Sequence, residues 1–208
     1  LVYGTTLVAA GSALVIVSLK SIDSATKKRL QWLAVGSAVL AALFSVSRIL
    51  VRASFLDGGT WAGAIDPVLV QLVIDSRLGT SVALRLAGLV LLLTLVFPGR
   101  IPEWIAAAGA VVVCASFAFR GHALEDPRVL LGLLVSVHLL GLAFWIGVLW
   151  PLHRLSVRSA QVGVVASEFG GKAVWVVGLL AVAGVVALVV LTGGTLATLE
   201  TAYGQFFA

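Results

Sequence analysis

The hydrophobic positions fall into six long stretches separated by short polar connections. A helix needs about 20 mostly apolar residues to cross the hydrocarbon core of a bilayer. The pattern therefore predicts an all-α bundle of about six membrane-spanning helices in a single integral membrane domain, residues 1–208. The stretches are approximately residues 1–19, 31–52, 80–97, 103–120, 128–150 and 170–193.

The connection at residues 54–79 has a helix signature of its own. Asp66 followed by Pro67 is typical of an N-cap with proline in the first turn. The apolar residues after it have helical spacing and end at Gly79, so we expect a short helix lying at the membrane interface. Residues 195–203 show a shorter version of the same pattern, with a capping residue followed by apolar residues at helical spacing. The apolar stripe of the first segment is Val68, Leu69, Leu72 and Val73.

These two segments also align residue by residue. Asp75–Gly79 and Glu200–Gly204 each contain an acid, a hydroxyl side chain, a spacer, a large side chain and a glycine. The alignment predicts an internal repeat, with units 1–97 and 128–208, and a further helix beyond the C-terminus. Chance similarity of two interfacial turns is the alternative.

The sequence contains no Met, so we also expect residues before Leu1.

Composition excludes several classes of protein. The chain is 61% hydrophobic and 11% charged, whereas a soluble domain has roughly 25% charged residues. A cytosolic enzyme, a nucleic-acid-binding module and a disordered chain are therefore excluded, and the solvent for most side chains is the lipid bilayer. The single Cys excludes an internal disulfide framework.

The distribution of charge predicts the orientation. Lys and Arg concentrate at residues 20–30, at Arg100 and at residues 151–169, whereas the other connections hold most of the acids. Basic connections of membrane proteins face the cytoplasm. Both chain ends are then expected on the outer, periplasmic side.

Polar residues within the spans concentrate in the outer half of the predicted bundle. Arg48 and Arg85 each lie about one turn below an outer span end, and His122 follows the fourth span on the same side. His138 lies about ten residues into the fifth span, on the order of 13 Å deep at 1.5 Å per residue. Titratable groups in a membrane usually face the bundle interior or a wet cavity. We therefore expect a site that opens outward.

Two histidines are the candidate metal ligands. Neutral imidazole binds metals and needs no proton at membrane depth. His138 and His122 could share one ion or form two stations along a path, while a structural histidine is the alternative for each. Cys114 would suit Cu(I) as a thiolate, although a lone buried Cys is usually an apolar filler. His153, beside Arg154, fits an interfacial residue.

An outer vestibule could be formed by Arg48 and Arg85 together with Asp66 and Asp75. Arg48 and Arg85 could orient Asp66, Asp75 or Glu200 around it, or they could extend to the outer headgroups.

The chain lacks a phosphate-binding loop, a nucleotide-binding glycine fingerprint, HExxH, CxxC and any arrangement like a Ser–His–Asp hydrolase. These absences favour a protein that is not an enzyme.

Several motifs in this order resemble the copper resistance protein D family (CopD/PcoD type) of bacterial inner-membrane proteins. The resemblance covers roughly residues 55–208. It rests on residues 137–147 (VHLLGLAFWIG) with Pro151-Leu152, residues 76–79 (SRLG) before Leu84-Arg85-Leu86, Gly121-His122-Ala123, and residues 201–205 (TAYGQ).

The resemblance implies a helical bundle that takes copper from the periplasm and passes it inward, with a periplasmic copper-binding partner of the CopC type. Family members often offer methionines to copper, and this chain has none. Imidazole ligation of Cu(II), or of Cu(I) by two histidines, is then expected. Two alternatives stay open: a membrane haem protein with His138 as axial ligand, and an accessory subunit whose histidines only pack.

Overall fold

The computed structural model describes residues 1–119, 127–156 and 161–191, and every regular element within these ranges is helical. Two of these elements are short 3₁₀ turns, at Leu93–Val96 and Ser116–Phe119. The helices are α1 (Val2–Ser18), α2 (Ser24–Leu56), α3 (Trp61–Ile65), α4 (Pro67–Ile74), α5 (Arg77–Leu92), α6 (Arg100–Ala115), α7 (Arg128–Ser156) and α8 (Gln161–Leu191).

The prediction of an all-α bundle is confirmed, because the described part of each of the six apolar stretches is almost entirely helical. Within the described ranges, five helices are long and apolar enough to cross a membrane, and α1 is apolar but has only 17 residues. The helix bounds differ from those predicted. The basic residues after Asp23 belong to the first turns of α2, and α8 begins at residue 161. Lys and Arg are good helix formers, so a span continues readily beyond the apolar region.

Helix α1 is the centre of the bundle and packs against α2, α6 and α7. Its contact with α7 depends on two glycines, Gly11 and Gly147. A Cβ added at Gly11 would lie 2.0 Å from the carbonyl oxygen of Ala143, and one at Gly147 would lie 2.3 Å from the backbone of Gly11. Small residues of this kind allow the backbones of membrane helices to approach closely.

The interfacial helix predicted after Asp66 is α4, and the Asp66 carboxylate accepts hydrogen bonds from the amides of Val68 (2.8 Å) and Leu69 (3.1 Å). The prediction that this helix ends at Gly79 is wrong. Helix α4 ends at Ile74, and Gly79 lies inside α5. A Cβ at Gly79 would lie 1.9 Å from the Ile74 carbonyl oxygen, so the glycine permits the tight corner between α4 and α5.

Helix α8 packs mainly on α7, and most of its other side chains are exposed on the outside of the bundle. The Glu168 carboxylate connects the N-terminal part of α8 to the α1–α2 turn. It accepts hydrogen bonds from the amide of Lys20 (3.0 Å) and from the amide and hydroxyl of Ser21 (3.0 and 2.6 Å). The predicted helix at residues 195–203 and the repeat motif at 200–204 lie outside the described residues.

Candidate functional site

A fully buried arginine is the most unusual polar feature of the described bundle. Arg85 has 0% of its surface exposed, although it lies in the third predicted span. Its Nε donates a hydrogen bond to Ser116 Oγ (3.2 Å) and its Nη2 donates to Ser81 Oγ (3.2 Å). The alternative in which Arg85 extends to the headgroups is therefore wrong, because the side chain is held inside the bundle by the hydroxyls of Ser81 in α5 and Ser116 in the 3₁₀ turn after α6.

The same two serines connect α5 to the 3₁₀ turn at the end of α6. Ser81 Oγ donates to the Ser116 carbonyl (2.7 Å), and Ser116 Oγ donates to the Val113 carbonyl (2.6 Å). Each buried hydroxyl thus donates to a backbone oxygen while it accepts from Arg85. A buried polar group that is hydrogen-bonded in this way avoids most of the cost of leaving water.

Two aromatic rings continue this cluster into α1. The Arg85 guanidinium carbon lies 4.0 Å from the centre of the Phe117 ring. The Phe117 ring in turn stacks on the Tyr3 ring, with 4.3 Å between the two ring centroids. A cation close to an aromatic ring is attracted by the ring quadrupole. We name Arg85, Ser81, Ser116, Phe117 and Tyr3 the Arg85 cluster.

Sequence reasoning found only Arg85 among these five residues. Ser81 lies four positions before Arg85, which places both on one face of a helix, so this spacing could have indicated the pair. Ser116 and Phe117 give no such signal, because their contact depends on how α5 packs against α6. The buried hydroxyls of Thr6 and Ser12 in α1 were also missed, and neither has a hydrogen-bond partner among the described residues.

His138 does not face the interior of the described bundle, contrary to our expectation. Its side chain is exposed on α7, on the same face as the exposed Leu142 and Leu149. The residues of α7 that contact α1, Ala143 and Gly147, lie on another face. The expectation failed because α7 is apolar on all sides, and such a helix gives no sequence signal for which side packs.

The haem alternative requires a cavity beside His138. An apolar cavity of about 310 Å³ lies between α1, α6, α7 and α8, and another of about 350 Å³ lies between α2 and α5. His138 lines neither of these two cavities. Nothing in their geometry favours His138 as an axial ligand of haem.

Cys114 lies in the apolar core with no exposed surface. It is a free thiol, and it packs among buried hydrophobic residues of α1, α5 and α6. Its surroundings fit a small apolar filler. Within residues 1–119, 127–156 and 161–191, no three His, Cys, Asp or Glu side chains lie close enough to hold a metal ion. His122 lies outside these residues.

The two candidate vestibule acids make local hydrogen bonds. Asp66 caps α4, and the carboxylate of Asp75 accepts a hydrogen bond from the Gln71 side chain (3.0 Å). Arg48 is exposed on α2, whereas Arg85 is buried in the cluster. The described hydrogen bonds of both acids are therefore made to residues of α4, where Asp66 caps the start of the helix and Asp75 binds the Gln71 side chain.

Comparison with known proteins gives one family. A sequence model described as copper resistance protein D-like, N-terminal domain, matches residues 1–129. This match covers more than half of the chain and includes the whole Arg85 cluster. No curated protein and no solved structure matches the chain.

Proposed function

The chain belongs to the copper resistance protein D-like family, and on this premise we propose that it carries copper inward from the periplasmic side of a bacterial inner membrane. Its helices and its family make it a multi-pass membrane protein associated with copper. The family match over residues 1–129 is the observation that carries the proposal. The motifs typical of enzymes are absent, which favours transport over catalysis.

The distribution of buried polar groups supports the proposed direction. Thr6, Ser81, Arg85 and Ser116 are all fully buried, and all lie toward the end of the bundle opposite the basic connections. In the proposed orientation this is the periplasmic half. An ionisable group inside a membrane protein often marks a functional site, and Arg85 is the ionisable member of this set, whereas the Ser and Thr hydroxyls are also typical of helix packing.

The Arg85 cluster itself cannot supply the copper ligands. A guanidinium donates hydrogen bonds but has no lone pair for a metal, and hydroxyls are poor ligands for copper compared with imidazole and thiolate. We therefore propose His138 and His122 as the ligands, with Cys114 as a weaker candidate. Because His138 is exposed on α7, copper held by it would bind at the side of that helix, outside the core formed by α1, α5 and α6.

A periplasmic copper-binding protein of the CopC type is the proposed donor. In the proposed orientation α3 and α4 lie on the periplasmic side, and this surface carries exposed charges of both signs, with Asp57 and Asp75 beside Arg52 and Arg77. A copper-loaded donor whose surface charges complement these would be steered to it. Co-purification of such a protein with the chain, weakened by added salt, would test this pairing.

Copper accumulation in cells tests the proposed transport. We expect cells that express the chain to accumulate more copper than cells with an empty vector, and we expect the double variant His122→Ala/His138→Ala to lose this excess. His153→Ala is the matched control, because His153 is an exposed histidine at the opposite end of α7. Accumulation unchanged in the double variant, at equal protein level, would overturn the assignment of the ligands.

A further inference from the structure

A groove between α2 and α5 is open to the outside of the bundle and is almost entirely apolar. Its volume is about 350 Å³. Several of its wall residues, including Val39, Val46 and Val90, are exposed, so the surrounding lipid has direct access. The α2 wall is Ala38, Val39, Ala42, Leu43, Val46 and Ser47, and the α5 wall is Leu86, Leu89, Val90 and Leu93.

The α2 wall of the groove continues directly into basic and aromatic residues. Lys28, Trp32, Val35, Val39, Ala42 and Val46 follow one another at spacings of three or four, so they lie on one face of α2. The last three line the groove. Lys28 and Trp32 are exposed at the basic end of the same stripe, with 63% of Trp32 accessible.

The other side of the groove ends in the same way. After Leu93, the chain continues through the exposed Phe97 to the exposed Arg100 at the start of α6. A salt bridge between Lys27 Nζ and Glu103 Oε1 (2.6 Å) holds the starts of α2 and α6 together. Glu103 is one turn from Arg100, and Lys27 is next to Lys28. Lys28 and Arg100 are therefore exposed cations at the same end of the bundle, beyond the Ala38 and Leu93 end of the groove.

We propose that this groove binds an anionic phospholipid, with an acyl chain between α2 and α5 and the phosphate at Lys28 and Arg100. The apolar walls match an acyl chain, and the cations match a phosphate group at the level where Trp32 marks the membrane interface. A zwitterionic lipid would fill the same groove but would gain less from the two cations. This inference does not depend on the copper ligands.

Native mass spectrometry of the delipidated protein tests this inference directly. The protein in detergent is titrated with dioleoyl phosphatidylglycerol and, separately, with dioleoyl phosphatidylcholine. We expect tighter binding of phosphatidylglycerol. In the variant Lys28→Gln/Arg100→Gln we expect its affinity to fall by roughly 10- to 30-fold, while phosphatidylcholine binding changes little.

A matched control exists at the opposite end of the same two helices. Arg52 of α2 and Arg77 of α5 are both exposed, and we expect Arg52→Gln/Arg77→Gln to leave the preference intact. An equal loss in the two double variants, or none in Lys28→Gln/Arg100→Gln, would overturn the proposed site.

Two further measurements separate a lipid from a free ion. We expect Ala42→Phe, which fills the groove, to weaken binding of phosphatidylglycerol. We also expect inorganic phosphate at millimolar concentration to compete poorly, since it has no acyl chain. Full displacement by phosphate, or unchanged lipid binding in Ala42→Phe, would overturn the role of the groove.

Discussion

The guanidinium of Arg85 lies 4.0 Å from the centre of the Phe117 ring, with no part of Arg85 exposed. This contact joins the third predicted span to the end of the fourth, and Tyr3 extends it to α1. Arg85 thus links α5 directly to the end of α6, and to α1 through the stacked rings of Phe117 and Tyr3. Because the charge is surrounded by protein, its hydrogen bonds are stronger than they would be in water.

Replacement of Arg85 should destabilise the bundle. We expect Arg85→Met to lower the free energy of unfolding by about 3 kcal/mol, because two charge-assisted hydrogen bonds are lost. Arg85→Lys should lose less, since it keeps the charge. Denaturant titration in mixed micelles measures both variants. The exposed Arg77→Met is the control, and an equal effect at both positions would contradict the structural role of Arg85.

A methyl group at Gly11 should separate α1 from α7. The added Cβ would lie 2.0 Å from the Ala143 carbonyl oxygen, so one backbone must move. Overpacking of this kind costs about 1–3 kcal/mol. At Gly36 in α2 a Cβ meets nothing within 4 Å, and Gly36→Ala should be neutral or slightly stabilising. Thermal unfolding in detergent compares Gly11→Ala with this control, and equal midpoints would contradict the close approach.

Removal of the Glu168 carboxylate should release the α1–α2 turn from α8. Glu168 accepts hydrogen bonds from two backbone amides, the Ser21 hydroxyl and Lys172. We expect faster hydrogen exchange at the amides of Lys20 and Ser21 in Glu168→Ala. Glu103→Ala removes only a partly exposed ion pair with Lys27, so it should leave these amides protected. Unchanged exchange in Glu168→Ala would show that the turn does not depend on this carboxylate.

The exposed position of His138 gives a prediction about lipid access. In a Cys114→Ala background, a spin label at His138→Cys should be accessible to oxygen dissolved in the bilayer of a nanodisc. A label at Ala143→Cys should be protected, because Ala143 is buried against α1. Protection at His138→Cys would mean that another surface covers this face of α7.

The apolar stretches and the Asp66-Pro67 signature were sufficient to predict the six apolar helices and α4, because span length and capping depend on local sequence. The Arg85 cluster was only partly predictable, since Ser116 reaches Arg85 through the packing of two helices. The side of α7 that carries His138 was not predictable. In a membrane both the packed and the lipid-facing sides of a helix are apolar, so periodicity does not distinguish them.

Copper ligation in the purified protein tests the central claim most directly. Copper K-edge X-ray absorption of the copper-loaded chain should show the multiple scattering of imidazole rings. We expect this signal and the bound copper to be lost together in His122→Ala/His138→Ala and to persist in His153→Ala. Copper bound in unchanged amount and with unchanged ligation in the double variant would contradict the claim that these histidines hold the metal.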